Sequence, residues 1–252
     1  HRINKGEQIA LDNKSKDFFL LERSDVNVIY KHMIQLIQDK LPRYVNATTF
    51  DIQVLTPMRK GSLGCETLNG ILQRYLNPAD PCKKEHACGN AVFHEGDKVM
   101  QIKNNYNIAW RMYNAMGKRC DEGVGIFNGD AGMIREIDDA NETMQVVFDD
   151  GKVVDYDYSQ LEELELAYAI TIHKSQGSEY PVVIIPVHSG PPMLMTRNLL
   201  YTAVTRAKTL VVLVGIQETI SAMVNNDREV GRYTGLAQRI RNLYDFMAEA
   251  GE

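Results

Sequence analysis

The residues best suited to chemistry lie in a polar run, 171–179, directly before a continuous apolar segment. The threonine, histidine, lysine and serine side chains of this run can donate hydrogen bonds to phosphate oxygens. Gly177 permits a close approach of the backbone to a ligand, and Glu179 can accept a hydrogen bond from a sugar hydroxyl. The alternative is a solvated polar turn that leads into a strand, and the run alone leaves both interpretations open.

A second candidate is Arg206, near the end of a predicted helix over 197–207. The apolar residues of that helix form one stripe, namely Leu199, Leu200, Ala203, Val204 and Ala207. Arg206 lies about 90° from the centre of the stripe, at about 3.6 residues per turn. An arginine there can lie at the rim of a domain interface and pair with a phosphate that another domain holds. The alternative is a surface arginine whose stem packs along the protein.

These residues need an α/β scaffold to position them. The continuous apolar runs 182–187 and 210–215 predict parallel strands that are buried on both faces. The helix between them would complete a right-handed crossover. The preceding segments are predicted as a helix from its cap Ser24 to near Pro42, a strand over 52–55 and a helix over about 64–75.

The region 131–165 has a different pattern, which predicts a small all-β insertion. Its alternating apolar residues are Met144, Val146 and Phe148. Asp150-Gly151 suits a two-residue hairpin turn, with 152–157 as the returning strand. After the α/β core, the segment 235–248 predicts an amphipathic helix with the apolar residues Leu236, Ile240, Leu243 and Met247.

Composition limits the classes of protein. Of the 252 residues, 44% are hydrophobic and 24% charged, and no apolar run is long enough to span a bilayer. We therefore expect a soluble protein with no membrane partner. The net charge of −5 argues against a protein that coats nucleic acid by bulk electrostatics, so any contact with DNA would be local.

The termini and cysteines indicate the compartment. The first six residues do not read as a signal peptide, and the chain looks like part of something longer. Four cysteines are too few and too irregular for a disulfide framework, which fits a reducing cytoplasm. Cys82, His86 and Cys88 could in principle offer three ligands to zinc, but no fourth is evident. We predict a polar loop there and no metal site.

The polar run and the Arg206 helix together resemble a known family. Thr-Ile-His-Lys-Ser-Gln-Gly-Ser-Glu at 171–179 and Leu-Tyr-Thr-Ala-Val-Thr-Arg-Ala at 200–207 resemble the fifth and sixth motifs of superfamily 1 helicases, specifically those of the RecD-like branch. Val-Leu-Thr-Pro-Met-Arg-Lys-Gly at 54–61 resembles the fourth motif. Residues 96–106 and 127–130 also match the branch.

The resemblance implies a fold and partners. The motor of that family has two RecA-like domains, with ATP in the cleft between them and single-stranded DNA across them. This chain would be the second domain, formed by 1–130 and 166–252, with an SH3-like β-barrel inserted at 131–165. ATP and Mg²⁺ would be bound mainly by an N-terminal RecA-like domain of the same parent protein, and movement would run 5′ to 3′.

The resemblance also implies roles for individual residues. Arg206 and Arg59 would reach the γ-phosphate as catalytic arginines, a role that can be worth factors of about 10³–10⁵ in rate. Gln176, Gly177 and Glu179 would lie at the nucleotide. The implied DNA contacts are Thr56, Asn104, Asn105, Tyr106, Asn128, Thr171, His173 and Lys174. Tyr106 is open to two interpretations, a ring that stacks on a base or a core aromatic.

One motif is absent from the sequence. No Gly-x-x-x-x-Gly-Lys-[Ser/Thr] occurs, and no acidic Walker B strand is evident. We therefore expect that this chain does not hydrolyse ATP by itself. The segment 107–126 would either extend the DNA groove or be a surface decoration.

Other functions remain open at this level. The chain could be a non-catalytic nucleic-acid-binding module, and the β insertion could dock a protein. The parent could be a free-standing helicase, a recombination-nuclease subunit of the exonuclease V alpha type, or a conjugative relaxase fusion.

Overall fold

The computed structural model describes residues 1–228, 235 and 239–242. Among these, the strands are β1 (Phe18–Glu22), β2 (Ile52–Thr56), β3 (Glu85–Cys88), β4 (Ala91–His94), β5 (Lys98–Gln101), β6 (Asn105–Tyr113), β7 (Arg119–Ile126), β8 (Ala131–Asp138), β9 (Thr143–Phe148), β10 (Val153–Asp157), β11 (Leu164–Leu166), β12 (Ala169–Thr171), β13 (Tyr180–Val187) and β14 (Ala207–Gly215). The α-helices are α1 (Val26–Gln35), α2 (Leu41–Val45), α3 (Cys65–Leu76), α4 (Arg197–Val204) and α5 (Gln217–Asn225). A π-helical segment, Leu36–Lys40, joins α1 to α2, and short 3₁₀ turns span Ile3–Lys5, Thr49–Asp51 and Tyr158–Glu163.

A five-stranded parallel sheet forms the α/β core, in the order β1-β14-β13-β2-β12. The apolar runs predicted as strands are β13 and β14, which pair in parallel, and 52–55 lies in β2. Helices α4 and α5 cover one face, through residues such as Leu200 and Ile220. Helices α1 and α3 cover the other, through Ile29 and Leu68. The predicted RecA-like layer is confirmed, and the structure adds β1 and β12 at its two edges.

The first helix differs from its prediction at both ends. Asp25, not Ser24, caps it, because the Asp25 carboxylate accepts hydrogen bonds from the backbone N–H groups of Asn27 and Val28. The helical path also continues past Pro42, as far as Val45. Proline is tolerated there because it stands in the first turn of a new α segment, where a missing N–H removes no helical hydrogen bond.

The second layer is an antiparallel sheet in the order β11-β5-β8-β9-β10-β6-β7. The predicted alternation holds in β9, where Met144, Val146 and Phe148 are buried. The sheet extends from Lys98 to Leu166, and with the β3–β4 hairpin, whose Phe93 lies in the same core, it forms the all-β part of the chain that we call the β insertion from here on. Several of its strands lie before residue 131, and the proposed domain boundaries stay a prediction. The segment 107–126 belongs to the β6–β7 hairpin of this sheet.

Two further results concern the remaining predictions. Among the described residues, no helix combines the length and apolar character needed to cross a bilayer. The predicted terminal helix falls largely on residues outside the description, including Leu236, Leu243 and Met247.

Asp97 joins the two layers. This carboxylate is fully buried and accepts four hydrogen bonds. The donors are Gln73 Nε2 (2.5 Å), Asn77 Nδ2 (2.7 Å), His94 N (2.7 Å) and the Tyr168 hydroxyl (2.8 Å). Gln73 lies in α3 and Asn77 follows it, while Tyr168 immediately precedes β12, so one side chain fixes the β insertion against the α/β core.

Lys98, the next residue, gives the protein an expected pH dependence. Its Nζ donates to the Phe50 carbonyl at 2.7 Å, and burial lowers the pKa of the ammonium from 10.5 to about 8. In the unfolded chain the pKa returns to its ordinary value, so between about pH 8 and 10 the unfolded state binds more protons. The free energy of unfolding should therefore rise with pH in that window, by roughly 1 kcal/mol per pH unit.

Urea unfolding of the parent and Lys98→Met between pH 8 and 9.5 would measure this effect. The variant should lose the slope. Equal slopes in the two proteins would show that Lys98 is not charged differently in the folded and unfolded states.

Candidate functional site

The end of the polar run and Arg206 lie together at the amino ends of β13 and β14. Tyr180 opposes Ala207 in the sheet, and the Tyr180 N–H donates to the Arg206 carbonyl at 2.8 Å. Lys208 Nζ lies 3.7 Å from a carboxylate oxygen of the exposed Glu179. Two segments about thirty residues apart therefore form one group, which we call the amino-edge group and define as Gln176, Gly177, Ser178, Glu179 and Arg206.

Arg206 itself lies in a turn. Helix α4 ends at Val204, two residues earlier than needed to include Arg206, so the predicted helical position is wrong. The guanidinium is partly buried, and its Nη1 donates to the Ser178 carbonyl at 3.2 Å. Its Nε is buried and has no hydrogen-bond partner among the described residues. The side chain thus faces the edge that Gly177 and Glu179 flank, with one donor unused.

Neighbouring residues keep this edge open. Gly177 has φ +92°, and a Cβ built there would meet no atom within 4 Å, so the glycine is favoured by its backbone conformation and faces free space. Gln176 and Glu179 are exposed. Tyr180 is 8% exposed, burial raises the pKa of its phenol, and its hydroxyl has no hydrogen-bond partner in the described structure.

Lys174 and Arg59 form a different group, around Glu165. Lys174 Nζ lies 2.6 Å from one carboxylate oxygen of Glu165, and Arg59 Nη2 lies 3.1 Å from the other. Arg59 Nε also donates to Glu66 at 2.9 Å. The hydrogen bond that Arg59 donates to Glu66 and the negative charge of Glu165 raise the pKa of the Arg59 guanidinium.

The structure does not bring Arg59 and Arg206 together. Arg59 follows the carboxyl end of β2, whereas Arg206 precedes the amino end of β14. The register places Thr56 of β2 level with Pro186, six residues along β13 from Tyr180. At about 3.3 Å per residue, the two sheet edges are roughly 20 Å apart.

Thr56 and Thr171 are paired at the carboxyl edge. The Thr56 hydroxyl is fully buried and donates to the Leu63 carbonyl at 2.6 Å, which closes the loop that carries Arg59. The Thr171 Oγ1 accepts from the Lys174 N–H at 3.4 Å, and His173 between them is exposed. Both threonines therefore shape the loops that present charged or polar side chains.

The predicted asparagines and Tyr106 lie together on the β insertion. Asn104 Oδ1 accepts from the Asn128 N–H at 2.9 Å, and Asn104 Nδ2 donates to the Tyr106 hydroxyl at 3.3 Å. Asn105 Nδ2 donates to Glu163 at 3.0 Å. Tyr106 is 64% exposed, so the core-aromatic interpretation is wrong.

An acidic segment, Glu162, Glu163 and Glu165, connects these two clusters. Glu162 pairs with Lys103 at 2.7 Å, and Glu163 accepts from Asn105. Glu165 holds both Arg59 and Lys174. Along this segment lie five of the predicted DNA contacts, Lys174, Asn104, Asn105, Tyr106 and Asn128, together with Lys103 and Arg59, and we call these seven residues the polar strip. The catalytic role predicted for Arg59 stays a prediction.

Sequence reasoning did not find several of these groups. Glu162 and Glu165 contact the cations Lys103 and Arg59, which lie far away in the chain. From the sequence alone, such an acidic segment indicates only a solvated turn. Phe127 lies in the matched segment 127–130, for which the resemblance implies a role only at Asn128. Its ring packs against that of Tyr106, with a centroid distance of 5.7 Å. Ser178 and Tyr180 contribute to the amino-edge group through backbone atoms, which no side-chain pattern reveals.

The zinc alternative has no support in the geometry. The His86 ring lies against Tyr158, with centroids 3.7 Å apart, and Cys82 is exposed. Within the described residues, no cluster of three or more His, Cys, Asp or Glu side chains is arranged to hold a metal ion.

Comparisons with known proteins agree with this architecture. Residues 68–148 match the ATP-dependent RecD-like DNA helicase SH3 domain, and residues 166–214 match the UvrD-like helicase C-terminal domain. The ATP-dependent RecD2 DNA helicase of Deinococcus radiodurans is 37% identical over 190 residues, 75% of this chain and 23% of the relative. The RecBCD enzyme subunit RecD of Mycolicibacterium smegmatis is 30% identical over 217 residues, 85% of this chain and 34% of the relative.

The chain therefore spans about a quarter to a third of the length of these relatives. A crystal structure of Bacteroides Pif1 bound to ssDNA has a TM-score of 0.44 and 14% identity, over 88% of this chain and 55% of that one. The two domain matches follow each other along the chain in the order of the β insertion and the parallel sheet. The chain belongs to the RecD-like branch of the superfamily 1 helicases and corresponds to the C-terminal half of their motor.

Proposed function

We propose that this chain supplies an arginine to ATP held by a preceding P-loop domain, and part of the track for single-stranded DNA. The single observation that supports this most is the contact of Arg206 with Ser178 in the polar run. A cationic fork beside an exposed, glycine-containing edge is suited to a phosphate bound by another domain.

The donors at this edge fit phosphate. Arg206 Nε is buried without a partner among the described residues, so one polar donor of the guanidinium is left unsatisfied in this domain. A guanidinium placed where negative charge develops stabilises the transition state of phosphoryl transfer. In this proposal ATP and Mg²⁺ are bound mainly by the N-terminal RecA-like domain of the parent, so this chain alone does not turn over ATP.

The polar strip fits the backbone of a single strand. Lys174, Arg59 and Lys103 are cations that contact one acidic segment, and amides and an exposed aromatic ring lie beside them. Single-strand sites combine cations that follow phosphates with aromatic rings that stack on bases. The strip and the amino-edge group occupy different places on the sheet, so the DNA and the nucleotide would bind at separate places on this domain.

The DNA assignment predicts a result for Lys174→Ala in this chain. Binding to a fluorescent oligo(dT), followed by anisotropy at several salt concentrations, should weaken several-fold. The slope of log K against log salt should become shallower by about 0.7, the value expected for loss of one single-strand phosphate contact.

The matched control is Lys14→Ala, since Lys14 is also paired with a carboxylate, Asp12, and is 84% exposed. It should keep the affinity and slope of the parent. If Lys174→Ala and Lys14→Ala behaved alike, the polar strip would not be the DNA track.

A further inference from the structure

Two exposed aromatic rings stand side by side on the polar strip. Tyr106 is 64% exposed and Phe127 is 43% exposed. Their ring planes are inclined at 70° to each other, and the ring centroids are 5.7 Å apart. Tyr106 is the second residue of strand β6, and Phe127 directly follows strand β7. Because Asn105 pairs with Ile126, the two rings lie at the open end of the β6–β7 hairpin. Other large rings of the insertion are buried in its core, including Phe93, Phe148 and Tyr156.

Hydrogen bonds hold the two rings in place without covering them. Asn104 bonds to both connections, through the Tyr106 hydroxyl and the Asn128 N–H. The Phe127 N–H donates to Asp130 at 2.9 Å. Gly125 has φ +103°, and a Cβ built there would lie 3.2 Å from the Phe127 ring, so a glycine leaves room for this ring position.

Rings that are fixed and exposed suit a flat ligand. An unpaired base has a π-face that can stack on an aromatic ring and a polar edge that can bond to an amide. Here Phe127 offers the ring and the exposed Asn128 offers the amide. Lys103 on the same strip offers a charge for the adjoining phosphate. A base in a duplex is stacked on both faces, so this arrangement selects single strands and reads little sequence.

We propose that Phe127 and Tyr106 together form a stacking platform for one unpaired base of single-stranded DNA, which stacks on the face of one ring and meets the other ring edge-on. Asn104 positions the platform through its hydrogen bonds to the Tyr106 hydroxyl and to the Asn128 N–H beside Phe127. The stacking platform rests on the proposed function, because it specifies how the polar strip binds single-stranded DNA. It adds Phe127, for which the motif resemblance gave no role.

The test measures binding of the whole chain to oligo(dT) by anisotropy, with Phe127→Leu and Tyr106→Leu. Each variant should lose roughly tenfold in affinity, since stacking is worth this order per base. The salt slope should stay that of the parent, because no phosphate contact is removed. An oligomer of abasic sites should bind parent and variants equally. The melting temperature of each variant shows that it is folded.

The control is Tyr113→Leu, an exposed aromatic of the β6–β7 hairpin that is 44% exposed and lies outside the strip. It should bind as the parent does. A 2-aminopurine base in the oligomer gives a second readout, since its fluorescence should be quenched on the parent and not on Phe127→Leu.

The outcomes separate this proposal from the proposed function. If Phe127→Leu bound oligo(dT) with the affinity of the parent while Lys174→Ala bound it more weakly, the stacking platform would be overturned. The proposed DNA track would stand. An equal loss on the abasic oligomer also overturns it, because the ring would then act without a base. Failure of the parent to bind oligo(dT) at all overturns both.

Discussion

Replacement of Arg206 by alanine should lower DNA-stimulated ATP turnover by about 10³-fold or more, in a protein that joins this chain to its P-loop domain. The reason is that the partly buried guanidinium lies in the amino-edge group, where its Nη1 donates to the Ser178 carbonyl. Loss of the charge removes stabilisation present mainly in the transition state, so kcat should fall while the KM for ATP changes little. Steady-state phosphate release with saturating oligo(dT) measures both constants.

Arg206→Lys and Arg135→Ala provide the comparison. Lysine keeps the charge but not the planar fork, so it should restore only part of the rate. Arg135 is exposed on β8 and contacts Gln145 at 3.3 Å, so its loss should leave turnover at the parental level. Full activity in Arg206→Ala would refute the role of Arg206 as the arginine that acts on the bound nucleotide.

Asp97→Ala should destabilise the fold by roughly 3 to 5 kcal/mol. The substitution removes the acceptor of four hydrogen bonds, whose donors are Gln73 in α3, Asn77 directly after it, the His94 N–H of the β3–β4 hairpin and the Tyr168 hydroxyl. Domains are commonly stable by about 5–15 kcal/mol, so such a loss is a large part of the total. Urea unfolding followed by circular dichroism gives the free energy directly.

Asp121→Ala is the matched control, since Asp121 is exposed on β7 and accepts only from the Glu122 N–H. Its effect should stay within about 0.5 kcal/mol. If the two variants unfolded at the same urea concentration, the Asp97 network would not be what fixes the insertion to the core.

The parallel layer was predictable because burial on both faces leaves a strong pattern. The runs in β13 and β14 are continuous and apolar, and only strands covered on each side have that composition. The period of two in β9 was equally clear. The edge strands β1 and β12 were missed, because a short apolar run such as Phe18–Glu22 does not by itself distinguish a strand from a buried helix, and β12 has only three residues.

The candidate site was predictable only in part. Motif resemblance singled out Arg206 and Lys174, but their partners are set by tertiary structure. Glu165 is 106 residues from Arg59 in the chain, and no local rule relates two such positions. Tyr106 was ambiguous because tyrosine is found both inside and outside proteins, and only the tertiary fold shows that its ring is exposed.

The carboxylates of Glu162 and Glu165 have a consequence for how single-stranded DNA would be bound and released. Each cation of the strip already has an anionic neighbour, so in the proposed DNA track an arriving phosphate would replace that neighbour and would not fill an empty place. Such an exchange limits the net gain from each contact and gives the cation somewhere to return when the strand leaves. Contacts of this kind suit a motor that moves along DNA, because each step requires release of the DNA as much as binding.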